Sequence, residues 1–462
     1  MALHGSLVRH VLFPLVLRRR GDRAQLAYTQ EFDRTQFLSP DELRDLQWRR
    51  LQTLLAHAYA DCPFYRRRFD AAGVHPGDLR GLDDLRGLPI LEKRDIQQDG
   101  ADMVARSWPR DDLIRNQTGG STGTPITFYL SHDRKCSRAA ATLRHNGWAG
   151  WRVGDRAAVI WGAPQDRPAD GWWPRFKQTL LREPLWLDTA ALTEATMTRF
   201  QTLLHQFRPR ILQAYARSAV LFARWLEATG ARPYQPLSIV TSAEVLEDDD
   251  RALLERVFGC PVYNRYGCRE FSVIASECSA HTGLHTMAEG LYVEVVTPDG
   301  RPARPGETGS IVVTDLFNAA MPMIRYRIGD MGAWAGGACP CGRSLPRLER
   351  VAGRVTDFLV GGDGRLVSGV YLATYVVAHR PSLGQVQICQ DRRGHVTYRV
   401  CPGPGFDPVV DGAYLDDATR QHLGGNATAA VEVVAELPRA ASGKFVFSRS
   451  TVVPTLLSAT RS

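Results

Sequence analysis

Lysine is nearly missing from this chain. Only Lys93, Lys135, Lys177 and Lys444 occur in 462 residues, so arginine supplies 53 of the 57 basic side chains. A bias of this kind follows coding composition more than function. The net charge is +8, yet the arginines do not gather into a stripe interleaved with aromatics, so no nucleic-acid partner is expected. No stretch approaches the roughly 18 consecutive apolar residues that a membrane span needs, so no transmembrane segment is expected. The nearest is Val11-Leu12-Phe13-Pro14-Leu15-Val16-Leu17, which holds a proline and is followed by Arg18-Arg19-Arg20. A basic cluster behind the apolar run fits a signal peptide poorly. Burial against the body is the favoured reading over an amphipathic helix on a membrane surface. Internal repeats and low-complexity tracts are also lacking. The nine cysteines come without a secretory signal, which argues against a disulfide framework and for a cytoplasmic chain.

What is present reads as globular. Hydrophobic residues make up 44% and charged ones 23%, which excludes disorder and fibrous repeats. The length suggests two or three domains. Residues 40–110 read as helices: Pro40-Asp41-Glu42-Leu43 opens one with an acidic first turn, and Leu51, Leu54, Leu55 and Ala58 follow at helical spacing. From about residue 115 short apolar strands (159–161, 211–213, 238–241) alternate with helical stretches such as 219–228, which implies an α/β layer with a largely parallel sheet. From Tyr292 the pattern becomes antiparallel: 291–296, a Pro-Asp-Gly turn at 298–300, then 309–314. A boundary is expected near 354–357. Beyond it lie a Gly361-Gly362-Asp363-Gly364 turn, a helix near 371–378 and strands near 385–401 and 430–436. The fold class is therefore α/β: a large N-terminal α/β domain (1–355) with an antiparallel β module, and a small α+β C-terminal domain (356–462).

The strongest local signal is Thr118-Gly119-Gly120-Ser121-Thr122-Gly123-Thr124-Pro125. Glycines let backbone N–H groups turn toward a phosphate, and the hydroxyls add donors. No Gly-Lys-Ser/Thr follows, so it is not a Walker A loop. Downstream, Tyr263-Asn264-Arg265-Tyr266-Gly267-Cys268-Arg269-Glu270 offers an aromatic face for a purine and a carboxylate for Mg²⁺. Tyr326-Arg327-Ile328-Gly329-Asp330 ends in a carboxylate suited to ribose hydroxyls, and Gly353-Arg354-Val355-Thr356-Asp357 supplies a cation. Leu437-Pro438-Arg439-Ala440-Ala441-Ser442-Gly443-Lys444 puts a lysine after a flexible turn. Each piece alone has a bland reading: a core tyrosine, a turn aspartate, a solvated lysine. Their order together does not.

The ordered set resembles the adenylate-forming superfamily of acyl-CoA synthetases, peptide-synthetase adenylation domains and luciferases. Within it, the chain is most similar to the phenylacetate-CoA ligase and CapK-like branch, over about residues 40 to 450. The resemblance implies that Thr118, Gly119, Gly120, Ser121, Thr122 and Gly123 hold the ATP phosphates. It gives Asn264, Tyr266, Gly267 and Glu270 to adenine and Mg²⁺, Asp330 to ribose, and Arg354 to the nucleotide's surroundings. Thr241-Ser242-Ala243-Glu244 resembles the segment that lines the adenine and acid pockets, so Ser242, Ala243 and Glu244 join the set. Lys444 is expected to touch the reacting carboxylate and the α-phosphate, with Glu270 as the second catalytic residue. Three positions depart from the pattern: Thr124 where many relatives carry lysine, Arg269 where Thr or Ser is common, and Thr356 where Asp is usual.

Such a site turns a carboxylate into a mixed anhydride with AMP, releasing pyrophosphate, and a positioned ammonium with Mg²⁺ stabilises the charge on phosphate oxygens. Cys278, Cys339 and Cys341 with His281 and His285 offer ligands for a tetrahedral, structural zinc; His285, where the chain returns after the Gly283 turn, is preferred as the fourth. Trp161, Trp172, Trp173, Phe176 and Tyr215 lie between the phosphate loop and the adenine segment, and Trp161 and Tyr215 lead as candidates to line a slot for an aromatic acid. The expected enzyme is an AMP-forming acid–thiol ligase using ATP, Mg²⁺ and coenzyme A. Two rivals are an amide or ester synthetase with an amine or hydroxyl acceptor, and an inactive zinc-stabilised nucleotide-binding protein. The oligomeric state stays open, a homodimer among the options.

Overall fold

In the computed structural model the described residues are 2–118, 126–161, 184–188, 194–354, 358–362, 366–368, 372, 376–377, 380–437 and 448–452. The N-terminal third is helical. The helix Pro40–Asp61 starts where proline fixes the first turn and Ser39 closes a capping box with Glu42; such a cap contributes about 1 kcal/mol. Leu51, Leu54, Leu55 and Ala58 form its inward face and are almost fully buried.

An 11-stranded sheet organises the rest of the large unit. Five neighbouring strands are parallel, in the spatial order Leu185–Asp188, Ala157–Trp161, Ile211–Tyr215, Ser238–Ser242, Val262–Cys268. The helices Glu194–Phe207, Ala216–Thr229 and Asp248–Phe258 pack on one face of these strands, in a core shared with Ala158, Ile160, Leu212, Ala214, Ile239 and Val262, and the three central strands are buried along most of their length. After Val262–Cys268 the direction reverses. Ser272–Glu277, Leu284–Thr286, Arg347–Arg354, Tyr326–Trp334, Thr308–Asp315 and Leu291–Val296 continue the same sheet with antiparallel pairing. The antiparallel region expected from Tyr292 onward is thus an extension of the parallel sheet, joined through strands that start 20 residues before Tyr292, at Ser272. Separate apolar cores serve the two halves, one around Phe200, Phe222 and Phe258, the other around Phe32, Phe128 and Phe271.

Four strands nearer the C-terminus build a separate sheet, in the order Thr428–Val433, His395–Cys401, Gln385–Arg392, Ser448–Ser450. It has its own core, with Leu415 of the helix Pro408–Leu423 packed among Ile388, Val396 and Tyr398. Most of the helix expected near 371–378 lies outside the described residues.

Candidate active site and metal centre

The sheet's change of direction gathers the candidate residues. Three parallel strands end side by side: Trp161, Tyr215 and Ser242 are their last residues, with Tyr215 opposite Ser242 in register. Carboxyl ends of parallel strands are where α/β sheets bind ligands. The Trp161 and Tyr215 rings stand 4.3 Å apart, centroid to centroid, at a tilt of 44°. Ala243, the next residue, adopts φ +66°, a left-handed conformation that costs a non-glycine residue roughly 1–2 kcal/mol. Asn264, on the neighbouring strand, pairs with Thr241.

Tyr266, Gly267 and Glu270 come from the reversal itself. Gly267 is required there: a Cβ would stand 2.2 Å from the Ser272 carbonyl oxygen on the returning strand. Tyr266 donates its phenol to Asp330 Oδ2 at 2.7 Å. Burial and the Asp330 charge raise the Tyr266 pKa far above its ordinary value, so the phenol stays a donor. Asp330 lies directly across from Arg354 on the adjacent antiparallel strand; of Arg354 only this strand position is described. Glu270 is 9% exposed and accepts from the Tyr326 phenol at 3.4 Å. A single carboxylate suits Mg²⁺, which takes few protein ligands and keeps waters and phosphate oxygens.

Thr118 sits at the neck of the Gly/Ser/Thr loop, where its N–H donates to the Ile126 carbonyl and its hydroxyl accepts from the Ile126 N–H, both at 3.0 Å. That pair extends the hairpin Ile114–Gln117 with Thr127–Leu130. Gly119, Gly120, Ser121, Thr122, Gly123, Thr124, Trp172, Trp173, Phe176, Thr356 and Lys444 lie outside the described residues.

The candidate metal ligands converge. The Sγ atoms of Cys278, Cys339 and Cys341 and a ring nitrogen of His285 all lie within 4.8 Å of one another. Cys278 Sγ is 3.6 Å from Cys339 Sγ, and Cys341 Sγ is 3.3 Å from His285 Nε2. Tetrahedral zinc with bonds of about 2.3 Å to sulfur and 2.0–2.1 Å to nitrogen needs ligand atoms about 3.5–3.8 Å apart, so the set fits the ion. His285 Nδ1 faces the Leu345 carbonyl at 3.0 Å, a contact that puts the proton on Nδ1 and turns the Nε2 lone pair toward the thiols. Burial lowers the His285 pKa to about 4, which keeps the ring neutral. Gly283 makes the hairpin possible, with φ +116° and the Leu348 carbonyl oxygen 2.6 Å from where a Cβ would be. His281 points elsewhere, its Nδ1 3.2 Å from Glu277 Oε2.

Several contacts were not apparent in the sequence motifs. The Tyr326 phenol on Glu270 is one. Another is Arg138, whose Nη2 donates to the Arg269 carbonyl at 2.8 Å and braces the reversal from the helix His132–Trp148. A second grouping, Asp22, His132 and Cys136, also brings ligand-type atoms together, but the Lys135 ammonium lies 2.8 Å from Asp22 Oδ1 and makes it an ion pair. His132 and Cys136 at i, i+4 were the only local hint of that grouping.

No family model matches the chain. Curated relatives do. The phenylacetate-coenzyme A ligase of Thermus thermophilus is 31% identical over 332 residues, 70% of this chain and 73% of that protein. That of Escherichia coli is 30% identical over 382 residues, 79% of this chain and 83% of the relative. The chain belongs to the phenylacetate-coenzyme A ligase family. Its fold is that of the adenylate-forming ligases: a solved 2-hydroxyisobutyryl-CoA ligase in the postadenylation state, in complex with 2-HIB-AMP, superposes with a TM-score of 0.70 at 22% identity, covering 93% of this chain and 94% of its own. For a phenylacetate-coenzyme A ligase relative, the grouping of Tyr266, Glu270 and Asp330 at one seam of the sheet is an arrangement suited to a nucleotide.

Proposed function

We propose that this protein is an ATP-dependent, AMP-forming ligase that activates a carboxylic acid and passes the acyl group to coenzyme A. In the first half-reaction a carboxylate oxygen attacks the α-phosphorus, the bond to pyrophosphate breaks, and an acyl-adenylate forms. In the second, the thiolate sulfur attacks the acyl carbon and AMP leaves. Family membership supports the chemistry, and the Tyr266–Asp330 contact beside Glu270 is the observation that carries the site.

In this reading the Tyr266 ring flanks adenine, Asp330 accepts the ribose hydroxyls, and Ser242, Ala243, Glu244, Asn264 and Gly267 frame the base. Thr118, Gly119, Gly120, Ser121, Thr122 and Gly123 cradle the phosphates, and Arg354 adds positive charge from across Asp330. Glu270 would hold Mg²⁺, which supplies charge neutralisation at the phosphate oxygens. Lys444, carried by a C-terminal domain (356–462) that turns against the N-terminal one (1–355), donates to the oxygens between acid and α-phosphate. Trp161 and Tyr215 favour an aromatic acid. Cys278, His285, Cys339 and Cys341 would hold a structural zinc, a closed four-ligand set whose role is to pin the loop at 339–341 to the hairpin at 278–285.

ATP–pyrophosphate exchange against aromatic and aliphatic acids, without coenzyme A, tests the first step. Exchange with an aromatic acid is expected, and Lys444→Ala should lower it on the order of 10²–10³-fold. Unchanged exchange in that variant would remove Lys444 from the mechanism. Product formed from an amine or hydroxyl acceptor without thiol would replace coenzyme A as the acceptor.

A further inference from the structure

Residues 2–19 form one helical rod: Ala2–Leu7, a wider π-helical stretch Val8–Leu12, then Phe13–Arg19. One side is docked on the body. Gly5 approaches Gly154 so closely that a Cβ on Gly154 would stand 2.4 Å from the Gly5 carbonyl oxygen. Arg9 Nε donates to the Val153 carbonyl at 3.0 Å, and Val8 and Leu17 are buried. The burial expected from the sequence therefore describes this side.

The opposite side is different. Leu7, Val11 and Leu15 are 49%, 45% and 48% exposed, and at i, i+4, i+8 they form one stripe. Arg18 follows three residues on, along the same side, and Arg18, Arg19, Arg20 and Arg23 are all exposed. No Asp or Glu occurs before Asp22, and Asp22 is buried beside the Lys135 ammonium at 2.8 Å. Basic residues near a helix C-terminus complement its dipole. That explains an arginine or two there, and leaves unexplained three large apolar side chains facing out of an acid-free segment.

We propose that this face seats the protein on an anionic lipid surface. Leu7, Val11 and Leu15 enter the boundary between headgroups and acyl chains, and Arg18, Arg19, Arg20 and Arg23 meet the lipid phosphates. A bilayer interface matches both parts of the patch, hydrocarbon for the stripe and phosphate for the arginines. The attachment is peripheral, because among the described residues no helix is long and apolar enough to cross a membrane.

Co-sedimentation of the full chain with vesicles tests this. Vesicles of equal phosphatidylcholine and phosphatidylglycerol should bind it, pure phosphatidylcholine should bind at least tenfold less, and high salt should release it. Leu7→Ser/Val11→Ser/Leu15→Ser and, separately, Arg18→Ser/Arg19→Ser/Arg20→Ser should each weaken binding at least tenfold while ATP–pyrophosphate exchange stays at the wild-type level, which shows that the variants are folded. No binding to anionic vesicles, or binding that survives both variants, overturns the proposal. Light scattering decides against it in another way: a wild-type dimer that the apolar variant converts to monomer assigns the stripe to a second copy of the chain. Equal capture by free inorganic phosphate, read as loss of vesicle binding at matched ionic strength, would reduce the arginines to a simple anion site and likewise overturn it.

Discussion

Replacing Asp330 by alanine should weaken ATP binding about a hundredfold, and the number follows from the carboxylate's surroundings. An ionised carboxylate offers about four acceptor positions, and the Tyr266 phenol donates to Asp330 Oδ2 at 2.7 Å. In the proposed site two ribose hydroxyls bind the same carboxylate. A hydrogen bond to a charged acceptor contributes about 1.5–3 kcal/mol. At the lower value two of them give about 3 kcal/mol, or about 10²-fold in Kd. Calorimetry with ATP alone, in the absence of acid and coenzyme A, measures it. Truncation also strips the Tyr266 phenol of a partner, so affinity loss by itself is ambiguous. The second arm uses 2′,3′-dideoxy-ATP. The wild-type protein should lose about the same hundredfold on this analogue, whereas the Asp330→Ala variant should bind ATP and the analogue equally. A variant that still prefers ATP by the full factor would refute the assignment of Asp330 to ribose, however much its affinity fell.

Other outcomes follow from other contacts. Cys339→Ser should reduce bound zinc from near one per chain to well below one by metal analysis, and should change the fluorescence of Trp148, whose ring lies 5.7 Å from that of His285. Gly267→Ala forces a Cβ to within 2.2 Å of the Ser272 carbonyl oxygen; the strand pair must shift, and exchange should drop about 10²-fold in a chain that still folds by circular dichroism. Glu289→Gln leaves Arg144, 1% exposed and 2.6 Å from the carboxylate it loses, as an uncompensated buried charge. The expected destabilisation is about 3–5 kcal/mol, read from the urea midpoint.

The strands were legible where burial leaves a local trace. Ile211–Tyr215 and Ser238–Ser242 are covered on both faces, so they appear as short apolar runs between amphipathic helices. Leu291–Val296 and Thr308–Asp315 are expected and observed within a residue of each other. What the residue pattern hid is how the halves join. The reversal at 269–271 is tight, and its left-handed residue is Ser272, at φ +66°, where glycine or asparagine would have signalled a turn. Motif spacing indicated Tyr266, Glu270 and Asp330 separately; that Tyr266 touches Asp330 across 64 positions, or that Tyr326 reaches Glu270, depends on strand register, which no local pattern encodes. The same holds for Arg144 with Glu289, 145 positions apart. The choice of His285 over His281 at the cysteines rests on the Gly283 hairpin, a local signature beside the Cys339-Pro340-Cys341-Gly342 turn.

The seam where the sheet changes direction has a consequence for how the protein opens. Its two halves rest on separate cores, and each can fluctuate as its own cooperative unit. Tyr215 and Ser242 belong to the parallel side, Asp330 and Arg354 to the antiparallel one. A nucleotide held by both sides, as in the proposed site, would bind only molecules in which both are closed and so act as a rivet. With ATP present the two halves should open as one event, and amide exchange should slow together in strands as far apart as Ile211–Tyr215 and Thr308–Asp315.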